Sequence, residues 1–68
     1  MESRQVHIPA ISCDHCARTI REELLDLEGL AWVEVDVAAK SVRMGWHSPA
    51  SWATIAARLR EINYPPAD

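Results

Sequence analysis

Apolar residues fall along this chain in two rhythms, and the switches between them mark its elements. Val6 and Ile8 alternate with Gln5 and His7, the period of two expected of a strand with one buried face. Pro9 stops that strand. Over residues 14–28 the spacing changes, and Ala17, Ile20, Leu24 and Leu27 lie three or four apart, forming one stripe of a helix. Ser12 is expected to cap its start, and Gly29 to take the left-handed position past its end. Val33, Val35 and Val37 then alternate with Glu34 and Asp36, a second strand. A turn at residues 38–40 leads to a third, with Val42, Met44 and Trp46 alternating with Arg43 and Gly45. Ser48-Pro49 has the form of a helix start, a cap followed by proline at the first helical position. Trp52, Ile55, Leu59 and Ile62 mark the face of the helix that follows, and Asn63 suits its left-handed C-terminal position. Residues 64–68 leave room only for a short edge strand, because Pro65 and Pro66 have no N–H to give a ladder.

The order is strand, helix, strand, strand, helix, with a last strand that is short or broken. Two helices with one apolar stripe each can cover one face of an antiparallel sheet. The arrangement with right-handed crossovers is the α+β, ferredoxin-like βαββαβ sandwich, with its first and third strands central. Topology then sorts the loops. The end of the first strand, the hairpin at residues 38–40 and the segment around Tyr64 fall at one end of the sandwich. Gly29 and His47 fall at the other.

A chain of 68 residues is expected to form one domain, residues 1–68, with a small core. Its net charge of -3 argues against nucleic acid, which rewards a basic face. No apolar run approaches the roughly 18 residues of a transmembrane helix, and the N-terminal M-E-S-R-Q-V-H-I lacks the apolar stretch of a secretion signal. A cytoplasmic protein without membrane insertion is the expectation, and in a reducing compartment close cysteines more often serve metal or redox chemistry than a structural bridge.

The chemistry is concentrated in I-S-C-D-H-C-A-R, which holds the only two cysteines, Cys13 and Cys16. Cys13 falls in the loop and Cys16 in the first helical turn, so both sulfurs can address one centre. The positive end of the helix favours thiolates there. Soft thiolates select Cu(I) and similar ions. A closed zinc site needs four ligands, and this chain has one cysteine pair with His15 inside it. A two-ligand ion therefore fits the count better than zinc. The rival is a thiol–disulfide enzyme, since C-D-H-C is similar to the motif of strong thiol oxidants. Such a fold requires a longer chain and a proline segment facing the cysteines, and neither is found.

At these residues the chain resembles the heavy-metal-associated (HMA) domain, the family of small bacterial copper chaperones and of the metal-binding modules of copper-transporting P-type ATPases. The family's G-M-x-C-x-x-C stands here as A-I-S-C-D-H-C. Its helix end and following strand match L-E-G-L-A-W-V-E-V-D-V, and S-P and I-N-Y match in position around the second helix. Ala10 replaces a glycine, Ile11 replaces the methionine that plugs the loop, Asn63 replaces a glycine, and the last strand is clipped by the two prolines. Family members that handle zinc often carry an acidic residue where Ser12 stands, so the resemblance favours Cu(I), with Ag(I), Hg(II) and Zn(II) as alternatives.

The resemblance implies a metal carrier and not an enzyme. Cys13 and Cys16 would hold one ion and pass it by ligand exchange to a copper-transporting P-type ATPase or a similar CxxC protein, or share it in a metal-bridged homodimer. The same domain could instead work as an ATPase module, although its own Met1 favours a free-standing protein. His15 is a solvated loop residue, a tuner of the Cys16 thiolate or dimer contact, or an extra ligand. Tyr64 either packs over the end of the second helix or stands beside the site. His7 points to the open sheet face and His47 lies at the far end. Trp46, Trp52 and Met44 read as core, and Trp32 falls on the open side of the sheet. Pro9, Ala10, Ile11, Ala38, Ala39 and Pro65 are expected to form an apolar rim around the cysteines.

Overall fold

The computed structural model describes residues 1–67. Strands β1 (Glu2–His7), β2 (Leu30–Asp36) and β3 (Ser41–Trp46) form an antiparallel sheet in the order β1-β3-β2. Helices α1 (Asp14–Leu25) and α2 (Trp52–Glu61) cover one face of it. This is the ferredoxin-like sandwich expected from the pattern. No regular last strand forms among the described residues, where Ala67 N–H donates to the His7 carbonyl at 2.8 Å. Pro65 and Pro66 carry no N–H, so a regular ladder cannot start earlier. Asp68, the last residue of that segment, lies outside the described residues.

Register explains which residues are buried. Val6 opposes Val42, which in turn opposes Val35, and Val33 opposes Met44. These side chains meet Ile20 and Leu24 from α1 and Ile55 and Leu59 from α2 in one core. Burying each large aliphatic side chain of this kind stabilises by about 1.5–3 kcal/mol. The opposite face carries Gln5, Glu34 and Arg43, a polar, exposed surface. Trp32 lies on that face, half-buried, opposite Gly45. A Cβ at Gly45 would overlap the indole, so the glycine lets the ring lie across the strand. A bulge between Leu30 and Trp32 sets this phase.

Two helix boundaries differ from expectation. α1 ends at Leu25, short of Glu28, and a series of turns carries the chain to Gly29, at φ +101. A Cβ at Gly29 would overlap the His47 carbonyl, and His47 N–H donates to Gly29 O at 2.9 Å. α2 starts at Trp52, not at Ser48-Pro49. The Ser48-Pro49 bond is cis, and the turn around it is closed by Ala50 N–H to His47 O at 3.0 Å. The cap is Ser51, whose hydroxyl accepts from Thr54 N–H at 3.3 Å. Asn63 takes the left-handed conformation, φ 69, as its residue type suggests. Arg58 links the helices, donating to Glu23 O and Glu23 Oε1, each at 3.1 Å, with Asp26 at 3.5 Å. α1 has no basic residue in its own last turn, so α2 supplies the cation there.

Candidate metal centre

The site is built where the chain leaves β1. Pro9 ends the strand and Ile11 N–H turns back to Ile8 O at 3.1 Å. Ile11 is fully buried, at 0% exposure, and acts as the plug beneath the loop. It is therefore not part of the surface rim; Pro9, Ala10, Ala38, Ala39 and Pro65 are exposed. An Ile side chain in this small core gains more from burial than a rim position can offer.

Cys13 occupies the N-cap of α1 in extended conformation and is exposed. Its carbonyl accepts from Cys16 N–H at 3.1 Å and Ala17 N–H at 3.3 Å. Ser12, expected as the cap, stands one residue earlier, and its Oγ lies 3.7 Å from Cys16 Sγ. The hydroxyl serves the sulfur and leaves the helix end uncapped by any side chain. Cys16, one turn in, is 8% exposed. Both cysteines are free thiols, with sulfurs 3.7 Å apart, well beyond the ~2.05 Å of a disulfide.

The electrostatics favour a thiolate at Cys16. Its pKa is lowered to about 6 from an ordinary 9.0. The hydrogen bond from the Tyr64 hydroxyl is the largest cause, followed by the Ser12 backbone N–H and hydroxyl, and burial opposes them. The Cys13 thiol adds a smaller lowering. Tyr64 is correspondingly raised, because its phenol donates to the Cys16 sulfur and because burial and the two thiolates disfavour its own anion. Tyr64 packs against the core, half-buried, and its hydroxyl is hydrogen-bonded to Cys16.

His15 is exposed in the first turn of α1 and is not among the groups that lower Cys16. His7 and His47 are exposed, His7 at the end of β1 and His47 beside Gly29. Among the described residues, no group of three or more His, Cys, Asp or Glu could together hold a metal ion. No helix of the described chain is long and apolar enough to cross a membrane.

Sequence reasoning missed one residue here. Lys40 closes the β2–β3 hairpin at φ 54. Its Nζ donates to Ile11 O at 2.6 Å and reaches Pro9 O at 3.5 Å. A lysine in a turn carries no signal of such contacts, and only the topology, which brings hairpin and cysteine loop to one end, pointed toward them.

Known proteins share the family and the fold. Residues 5–65 match the family model described as "Heavy-metal-associated domain". A "COP-associated protein" of Helicobacter pylori is 34% identical over 44 residues, spanning 65% of this chain and 67% of that protein. The solution structure of apo-CopP from Helicobacter pylori superposes with a TM-score of 0.88 at 26% identity, covering 97% of this chain and 100% of the other. A structure titled "CopZ metallochaperone" has the same fold, with a TM-score of 0.91 at 15% identity over 97% of this chain and all of the other.

Proposed function

The chain belongs to the heavy-metal-associated domain family, and on that premise we propose that it is a soft-metal carrier for Cu(I), with Cys13 and Cys16 as the two ligands. The observation that carries this reading is the sulfur pair: two free thiols 3.7 Å apart, one exposed and one lowered toward thiolate. Thiolates select soft ions. Ser12 offers no competing carboxylate, and its hydroxyl is already turned to Cys16.

Exposure also bears on release. Cys13 is exposed, so an ion held between the two sulfurs would be open to a further thiolate from the side of Cys13. A third sulfur can enter on that side before the first leaves, so the ion moves by ligand exchange and is never free. The donor of that sulfur is a similar CxxC pair, on a copper-transporting P-type ATPase or on a second copy of this chain. Of the two cysteines, Cys13 is the exposed one and leads the exchange, while Cys16 stays held by Tyr64 and Ser12.

The carrier reading outweighs a thiol–disulfide enzyme on one point. A redox nucleophile should be both low in pKa and accessible, whereas the thiol lowered here is the buried Cys16. No catalytic step is assigned, and the setting is the cytoplasm. The test is anaerobic titration of the reduced protein with Cu(I), Ag(I), Hg(II) and Zn(II) against a competing chelator. One tightly held Cu(I) per chain, with Zn(II) displaced by the same chelator, is the expected result. Retention of Zn(II) in preference to Cu(I) would refute it.

A further inference from the structure

Lys40 occupies a position where its residue type is unexpected. The hairpin is closed by Lys40 N–H to Val37 O at 3.2 Å, with Ala39 N–H on Asp36 Oδ1 at 3.1 Å. Lys40 itself takes φ 54, a conformation that glycine or asparagine adopts more readily in such hairpins. A turn role alone would therefore be better served by glycine. What glycine cannot supply is the side chain, and it has specific partners: Ile11 O at 2.6 Å and Pro9 O at 3.5 Å, two carbonyls of the segment that leads into Cys13. The Lys40 carbonyl accepts from Ile8 N–H at 2.7 Å, so main chain and side chain grip the same loop from both ends. Bonds from a charged donor are the stronger kind, and this one is partly shielded from water.

We infer that Lys40 is a positioning residue for the metal loop: its ammonium straps residues 9–11 to the hairpin and so fixes where Cys13 stands relative to Cys16. The inference rests on the carrier reading for its consequence, since a fixed Cys13 determines how firmly the ion is held. The strap itself is a property of the metal-free chain. Cys16 is anchored separately, through α1, Ser12 and Tyr64. Lys40 acts on the other half of the pair, the cysteine that sits in the loop.

Amide hydrogen exchange on the reduced, metal-free protein tests it. The Ile11 N–H, bonded to Ile8 O, reports on the loop; Val42, in the central strand, reports on the whole fold. Lys40→Met should speed exchange at Ile11 about tenfold through local opening and leave Val42 unchanged. Lys40→Gly should do the same although it relieves the backbone, and Lys40→Arg, which keeps a cation and donors, should stay near wild type. Unchanged exchange at Ile11 in the Met and Gly variants overturns the strap, and so does an equal rise at Ile11 and Val42. For the ion, Lys40→Met should weaken Cu(I) retention about tenfold in competition, as loss of an outer-shell partner does, with Arg restoring it. A loosened loop with unchanged Cu(I) retention overturns the link to metal. If the wild-type protein takes up no Cu(I), the carrier reading falls and that link with it, while the exchange data still decide the strap.

Discussion

The two helices begin in the same way and use that beginning differently. Cys13 and Ser51 both sit at an N-cap in extended conformation, with φ -161 and ψ 173 in one and φ -147 and ψ 163 in the other. Ser51 does what the position rewards: its hydroxyl accepts from Thr54 N–H and hydrogen-bonds Thr54 Oγ1 at 3.0 Å. Cys13 makes no cap bond. A good cap is worth about 1 kcal/mol, so α1 forgoes stability at the point where α2 takes it. What α1 gains is an exposed sulfur 3.7 Å from a second sulfur, at the helix end whose dipole favours thiolates. One start serves the fold and the other leaves a group available for chemistry.

If that is the difference, the bodies of the helices should be energetically alike. Leu24 under α1 and Ile55 under α2 are both fully buried. Leu24→Ala and Ile55→Ala should each cost roughly 2–5 kcal/mol in chemical denaturation, through the cavity left in a small core. A loss below about 1 kcal/mol at either site would mean that one helix is not seated as described.

Exchange of the caps sharpens the contrast. Ser51→Ala should destabilise by about 1 kcal/mol. Cys13→Ser should not destabilise the metal-free protein, and should raise its stability by up to about 1 kcal/mol as the new hydroxyl caps α1. A destabilised Cys13→Ser variant would show that the thiol is a structural group after all. Thermal denaturation of the reduced proteins under a chelator separates these outcomes.

The last effect concerns charge. Because Cys16 titrates lower in the folded protein than in an unfolded chain, its thiolate stabilises the fold above the ordinary thiol range near 9.0, and that contribution is lost as pH falls through about 6. Tyr64→Phe removes the largest cause of the lowering, so the Cys16 step, followed by thiolate absorbance, should move upward from about 6. A step that stays in place would assign the lowering to Ser12 and Cys13.

The same comparison shows what could be read from the sequence and what could not. Periodicity located the two helices and three strands of the described residues, because burial on one face leaves a regular trace. Gly29 and Asn63 advertised their left-handed conformations by residue type, and Lys40 did not. The start of α2 was misplaced by one turn because Ser48-Pro49 satisfies the cap-and-proline rule as well as Ser51 satisfies the serine rule. Only the chain's path decides between them, and it makes a tight turn at Pro49 before the helix begins. At the centre itself, the spacing of Cys13 and Cys16 was enough to place two sulfurs together. The hydrogen bond from Tyr64 to Cys16 was legible only as a shared end of the fold. Ile11, grouped with the rim by its neighbours in sequence, is buried because its side chain fills the space under the loop.

The two-thiolate clamp for a soft ion proposed at the start of α1 depends on both of its sulfurs. Anaerobic competition for Cu(I) between a chelator and the wild-type, Cys13→Ser and Cys16→Ser proteins tests it most directly. Tight binding of one ion by the wild type, with loss of that binding in both folded variants, is the predicted result. Either serine variant holding Cu(I) as firmly as the wild type would contradict it.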